Sequence, residues 1–171
     1  MSGRRSQARQ YAVLALYQWQ LTGQEPSDIG RHFLDDPTWM EEVDRFLSDA
    51  GADSSPVARE AAACDWNLFL HLLHGVPEHV DALDARLRSA LDRPVAQVTP
   101  VELAVLRLAT YELLQSPEVP YRVIINEAVD LAKRFGADDQ SHRYVNGVLD
   151  RVARDVRELE TRSAPPSGAG P

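Results

Sequence analysis

Apolar residues recur at intervals of three and four along almost the whole chain, and nowhere do they alternate with polar ones over the length of a strand. That spacing matches the 3.6-residue turn of an α-helix, whereas a half-buried strand needs a period of two. The pattern restricts the chain to an all-α fold, a compact helical bundle. With 171 residues, 44% of them apolar, it can bury a core without disulfides or a structural metal. One globular domain is expected over residues 1–162.

Helix starts and stops divide the pattern. A first helix is predicted from about Arg4 to Leu21, its stripe formed by Ala8, Tyr11, Ala12, Ala15, Leu16 and Trp19, with Gly23 and Pro26 ending it. A short helix follows over Asp28 to Leu34. Another is expected after Pro37, with Trp39, Val43, Phe46 and Leu47 on one face, and Gly51 to Pro56 form a loop. Trp66, Phe69, Leu70 and Leu73 mark a longer helix that Gly75 and Pro77 should break, and Val80, Leu83, Leu87 and Leu91 mark the next. TPVELAVLRLATYELLQ has the strongest start signal, with Thr99 as N-cap, Pro100 at N1 and Glu102 at N3 in a capping-box pattern.

VPYRVIINEAVDLAKRFG should stop at Gly136, after Lys133 and Arg134 in its last turn. The final helix starts between Asp138 and Ser141 and carries Val145, Val148, Leu149, Val152, Val156 and Leu159. The tail SAPPSGAGP, residues 163–171, has too little apolar content to fold and is expected to be disordered.

The net charge of -8 is unevenly spread. Residues 35–65 hold nine Asp and Glu against Arg45 and Arg59, whereas residues 1–20 hold Arg4, Arg5 and Arg9 and no acid. A local basic face is therefore compatible with an acidic total. The single cysteine, Cys64, excludes an intramolecular disulfide. No run near the N-terminus resembles a signal peptide or a membrane span, so the cytoplasm is the expected compartment.

AKRFGADDQSHRYVNG, residues 132–147, combines a helix end, a glycine turn and a helix start. It could bring Lys133, Arg134, Asp139, Arg143 and Tyr144 to one patch. Basic residues suit a helix C-terminus and acids an N-terminus, so favourable helix-end electrostatics alone would explain much of it. The first helix adds a row at spacing four, Arg5, Arg9, Val13 and Tyr17. Guanidinium groups beside aromatic rings suit single-stranded RNA, since the cations hold phosphates and the rings stack on bases. Tyr17 is equally consistent with a core position.

RRSQARQYAVLALYQWQL, VELAVLRLATYEL and VPYRVIINEAVDLAKRFGADDQSHRYVNGVLD together resemble the NusB family of transcription antitermination factors. That resemblance implies two packed three-helix subdomains and a non-enzymatic role without a cofactor. It implies binding to the boxA element of nascent ribosomal RNA together with NusE, a small-subunit ribosomal protein. The complex would act with RNA polymerase and other Nus factors against premature termination. Carried over by position, the RNA surface falls on Arg5, Arg9, Tyr17, Lys133, Phe135, Asp139, Arg143 and Tyr144, and the two groups would have to meet in the fold. Because Gln140 looks added to the family's turn, Asp138 is the alternative to Asp139. Partner contacts fall on Glu102 and Arg107, although capping suits Glu102 equally well. The acidic stretch, about residues 46–64, looks like an insertion, and Ser6 and Gln7 stand where relatives carry arginines.

His71, His74, His79 and Cys64 raise the question of zinc, but a structural site needs four convergent ligands, and none is expected here. Asn126 should sit in hydrogen-bonded structure, and Asn146-Gly147 should admit a neighbouring backbone. No phosphate-binding glycine loop, nucleophile elbow or HExxH motif is present in the sequence. The rival readings are a protein-only helical adaptor and a stand-alone relative of the RNA-binding domain of ribosomal RNA cytosine methyltransferases.

Overall fold

The computed structural model describes residues 3–35 and 64–163, and among these every regular element is a helix. The chain divides into two compact units, Met1–Pro77 and Glu78–Pro171. The helix expected after Pro37, the Gly51–Pro56 loop, the acidic stretch up to residue 63 and the tail beyond residue 163 lie outside the described residues.

The first unit contains α1 (Arg4–Thr22), α2 (Pro26–Asp35) and α3, Trp66–Glu78, which reaches one residue past the boundary. Gly23 ends α1 in the left-handed region, φ 70°, and its N–H donates to the Trp19 carbonyl at 2.9 Å. Glycine takes that conformation without the penalty a Cβ would bring. Three residues later Pro26 opens α2. At Gly30 a Cβ would lie 3.2 Å from Leu73 Cδ2, so this glycine lets α2 come close to α3. Phe33 and Phe69 pack with ring centroids 5.2 Å apart, and Trp66 stacks on Tyr11 at 5.6 Å. The Asp65 carboxylate caps α3 by accepting from the Leu68 N–H at 3.1 Å. Burial first, and Asp65 second, push the Cys64 thiol up to about 12, with Arg4 opposing them, so the thiol stays protonated at neutral pH.

Contrary to the sequence expectation, α3 runs through both Gly75 and Pro77. A proline here removes one hydrogen bond from the last turn, where the helix is about to end anyway, and the chain turns at His79 before helix resumes.

The second unit contains α4 (Val80–Ala90), a 3-10 turn at Val95–Gln97, α5 (Pro100–Gln115), α6 (Tyr121–Phe135), α7 (Ser141–Val156) and α8 (Glu158–Ser163). Helix α5 packs against α4, α6 and α7 and buries Ala104, Val105, Leu106, Leu108, Ala109 and Leu113. Each large aliphatic side chain buried in this way contributes about 1.5–3 kcal/mol. Thr99 caps α5 as expected, its hydroxyl accepting from the Glu102 N–H at 3.4 Å. The reciprocal half of the capping box does not form: the Glu102 carboxylate instead accepts from Ser141 Oγ at 2.8 Å, in the interior. A hydroxyl on a neighbouring helix thus gives this carboxyl group a hydrogen bond and joins two elements at once.

At the far end of α5 the buried Arg157 collects carbonyl oxygens. Its Nε donates to Leu113 O at 2.8 Å, Nη2 to Ser116 O at 2.8 Å and Nη1 to Val119 O at 3.0 Å. The Leu113 and Ser116 carbonyls belong to the end of α5, which leaves such acceptors without intrahelical partners, and Val119 lies in the loop that follows. Glu160 Oε2 accepts from Arg157 Nη1 at 2.7 Å, while Oε1 accepts from the Tyr121 N–H at 2.8 Å. Burial pushes the Glu160 carboxyl upward, but those two bonds outweigh it and leave the group below its ordinary value.

Arg157 also breaks the helix, with φ -124° and ψ 41°, so α8 leaves the line of α7. Leu159, expected in the buried stripe, is consequently 83% exposed. Two further expectations change. Gly136 does not take the left-handed conformation, having φ -69°; it is required because a Cβ would collide with the Ala132 carbonyl and lie 2.7 Å from Ser141 Cβ. Among the described residues no neighbouring backbone approaches Gly147, where a Cβ would meet only Arg151 Nη1, at 3.9 Å.

Arg157→Ala is expected to lower unfolding stability by at least about 3 kcal/mol, since several buried carbonyls lose a charged donor together. Arg157→Lys should recover little, because a compact ammonium cannot span them. Urea unfolding measures both. The two glycines should give opposite signs: Gly136→Ala costs about 1–3 kcal/mol through overpacking, and Gly147→Ala gains about 1 kcal/mol in helix propensity.

Candidate nucleic-acid interface

The junction of α6 and α7 is built on the contact between Gly136 and Ser141. Lys133 and Arg134, both exposed, complement the negative end of the α6 dipole. Phe135 is half-buried, with the Arg134 guanidinium 5.6 Å from its ring centroid. Asp138 Oδ1 accepts from the N–H groups of Gln140 at 2.9 Å and Ser141 at 3.1 Å, and so caps α7. The two adjacent aspartates are thereby distinguished. Asp138 holds the turn, whereas Asp139 is exposed and bonds to nothing among the described residues.

Beyond the cap, Arg143 is exposed on the first turn of α7 and Tyr144 is half-buried. The Tyr144 hydroxyl is buried without a hydrogen-bond partner among the described residues, and burial pushes the phenol above its ordinary value. The ring is therefore neutral, and its polar tip is unavailable at the surface. Arg93, from the loop after α4, lies over the Tyr144 ring with its guanidinium carbon 4.5 Å from the centroid. Local sequence does not announce this neighbour, because DRP in an aperiodic loop offers no pattern that ties it to a helix far along the chain. Lys133, Phe135, Asp139, Arg143 and Tyr144 thus all fall on one short helix–turn–helix segment. That segment offers exposed cations, a free carboxylate and two aromatic rings: groups for holding phosphates, reading base edges and stacking.

In α1 the predicted row behaves differently along its length. Arg5 is exposed and Tyr17 is 37% exposed, but Arg9 is only 2% exposed and Val13 1%. The surface position expected for Arg9 is therefore corrected. Between Ala8 and Leu16 the helix is buried around most of its circumference, and the small side chains of Ala8 and Ala12 leave room for a long one. Arg9 is not left unpaired there. Tyr17, compatible with core or surface from sequence, belongs with the surface group.

The residues assigned to a protein partner are both engaged within the second unit. Glu102 is bound by Ser141, and Arg107 makes a bidentate pair with Asp84, Nε to Oδ1 at 2.9 Å and Nη2 to Oδ2 at 2.8 Å. Asn126 and Asn146 are exposed and make no hydrogen bond among the described residues, so the structural role expected of Asn126 is absent there. His79 packs against the Tyr111 ring at 5.6 Å, while His71 and His74 are exposed. Among the described residues no group of three His, Cys, Asp or Glu side chains could hold a metal ion, and no helix is long and apolar enough to cross a membrane.

A family model described as NusB family matches residues 6–154. Transcription antitermination protein NusB of Nitrosococcus oceani is 45% identical over 163 residues, which cover 95% of this chain and 94% of that protein. Among solved structures, T. maritima NusB matches with TM-score 0.65 and 26% identity, covering 95% of this chain and 99% of that one. A chain from a crystal structure of antitermination factors NusB and NusE in complex with dsRNA matches with TM-score 0.62 over 88% of this chain and 96% of that one; at 23% identity this is a likeness of fold. With helices, family motif and a relative of nearly equal length in agreement, the chain belongs to the NusB family.

Proposed function

We propose that this protein is an RNA-binding transcription antitermination factor. It binds a boxA-like single-stranded segment of nascent ribosomal RNA together with a NusE-type ribosomal protein, in the cytoplasm, as part of the RNA polymerase antitermination complex with other Nus factors. It works by binding and has neither a catalytic step nor a cofactor. The carrying observation is the α6–α7 junction, where exposed Lys133 and Arg143, which bond to nothing among the described residues, share one short helix–turn–helix segment with the half-buried rings of Phe135 and Tyr144. Family membership, the antitermination role named for the N. oceani relative and the likeness of fold to a NusB solved with NusE and dsRNA support the same reading.

In this reading Lys133 and Arg143 hold phosphates, the rings of Phe135 and Tyr144 underlie the stacking subsites, and Asp139 accepts from base amino groups. Arg5 and Tyr17 supply the contribution of α1. Arg9 acts from within by fixing the helix that carries them. Glu102 in the first turn of α5 and Arg107 at its middle, held by Ser141 and Asp84, are preset for the protein partner.

Fluorescence titration of a boxA-like single strand, a scrambled strand and a duplex, each with and without the NusE-type protein, tests this. Preference for the boxA-like strand is expected; equal binding of all three RNAs under both conditions overturns it. Lys133→Ala and Arg143→Ala should each weaken binding, reduce the slope of log K against log salt by about 0.7, and leave the melting temperature unchanged. Tyr17→Ala should cost about 1–3 kcal/mol of RNA affinity with little effect on melting. Arg9→Ala is expected to lower the melting temperature itself, because it removes a buried, paired charge.

A further inference from the structure

Arg93 belongs to none of the motifs that mark the RNA surface, yet its guanidinium carbon stands 4.5 Å from the centroid of the Tyr144 ring. Nothing approaching that face can ignore it. The Tyr144 hydroxyl is buried, so a ligand must use the ring's face rather than its polar tip. The aromatic platform at Tyr144 thus already carries a guanidinium over one face.

Arg93 is also oriented from its other side. Asp92 Oδ1 accepts from Arg93 Nε at 2.9 Å, and the side chain of Arg93 remains 44% exposed. Its hydrogen bond to Arg93, chiefly, holds the Asp92 carboxyl below its ordinary value, which keeps the pair ionised at neutral pH. The loop bearing both residues is tied to α7 by Arg151, whose Nε donates to the Ala90 carbonyl at 2.8 Å. With Nε held by Asp92, the two Nη groups bond to nothing among the described residues. At the other end of the same turn the pattern recurs, with Arg134 over Phe135 at 5.6 Å.

A guanidinium is planar and weakly hydrated and stacks on π-faces on both of its sides, so an arginine already resting on a ring offers a second face to a nucleobase. Its outward N–H groups can meanwhile reach a phosphate. We infer that Arg93 is a further RNA-contacting residue, and that a base of single-stranded RNA stacks on the Arg93 guanidinium held over Tyr144 rather than on the bare tyrosine ring. This rests on the RNA-binding reading above and identifies the chemistry of one of its subsites.

The test uses the full chain and a boxA-like single strand, with Arg93→Ala and Arg93→Lys titrated beside a Lys133→Ala/Arg143→Ala double variant and a scrambled RNA. Because Arg93 is largely exposed, both substitutions should leave circular dichroism and melting unchanged. Arg93→Ala should weaken RNA binding by roughly 3- to 30-fold. Arg93→Lys should lose most of that affinity while keeping the wild-type salt slope, since an ammonium preserves charge without a stacking plane. Wild-type affinity in Arg93→Lys would reduce the residue to a point charge and overturn the stack. Unchanged affinity in Arg93→Ala removes the contact altogether, and tighter binding would make Arg93 a cover that RNA must displace; either overturns the inference. Loss confined to binding of the NusE-type protein would assign Arg93 to a protein interface instead, again overturning it. If the double variant weakens binding and Arg93→Ala does not, only this subsite fails; if the double variant and the scrambled strand both match the wild-type titration, the RNA-binding reading fails with it.

Discussion

Helices α5 and α7 are tied to each other at both ends, and the second unit depends on those two ties. At their starts Ser141 donates to the buried Glu102 carboxylate, and at their ends Arg157 gathers the carbonyls of Leu113 and Ser116. Each helix has 16 residues, so start-to-start and end-to-end bonding sets them side by side in the same direction, with α6 running back between them. Apolar burial supplies most of the driving force but is indifferent to a shift along the helix axis. The two polar ties remove that freedom, since a displaced helix would leave a carboxylate or a guanidinium buried without partners.

That register is what the α6–α7 junction requires. Ser141 touches Glu102 on one side and Gly136 on the other, so the hydroxyl that fixes α5 against α7 also fixes where α6 must stop. Lys133 and Phe135 precede Gly136 by at most three residues, and Arg143 and Tyr144 follow Ser141 by at most three. The junction therefore fixes the backbone that carries these side chains, and a ligand would have to order only the side chains themselves.

Much of this could be read from local sequence. The all-α fold, the cap at Thr99 and the left-handed Gly23 follow from periodicity and from helix-end chemistry confined to a few neighbouring residues. The segment carrying Lys133 to Tyr144 was legible for the same reason, because a helix, a short turn and a helix bring its ends together without any long-range assumption. What escaped depends on contacts distant in sequence. Glu102 looks like half of a capping box until Ser141 is there to take its carboxylate. Arg157 looks like another surface cation on a helix until the carbonyls at the end of α5 surround it. Arg9 lies on a row that is exposed at Arg5 and Tyr17 and buried between them, which helical spacing alone does not distinguish. Gly136 was recognised as a stop, but its cause is steric crowding by the Ala132 carbonyl and Ser141 rather than backbone handedness.

The turn between α6 and α7 is fixed at Gly136 and at Ser141, and between them Ala137, Asp138, Asp139 and Gln140 are all exposed. Chain length can therefore vary inside it while both anchors stay in place, since lengthening a loop by one residue adds very little closure entropy. A residue added there would be absorbed as a small outward bulge provided that one carboxylate still reaches the first amides of α7. A pair of neighbouring aspartates makes that condition easy to meet, because a shift of one position exchanges which acid caps and which faces solvent. Drift in the length of this segment over evolution can thus leave the architecture untouched while it changes the identity of the outward acid.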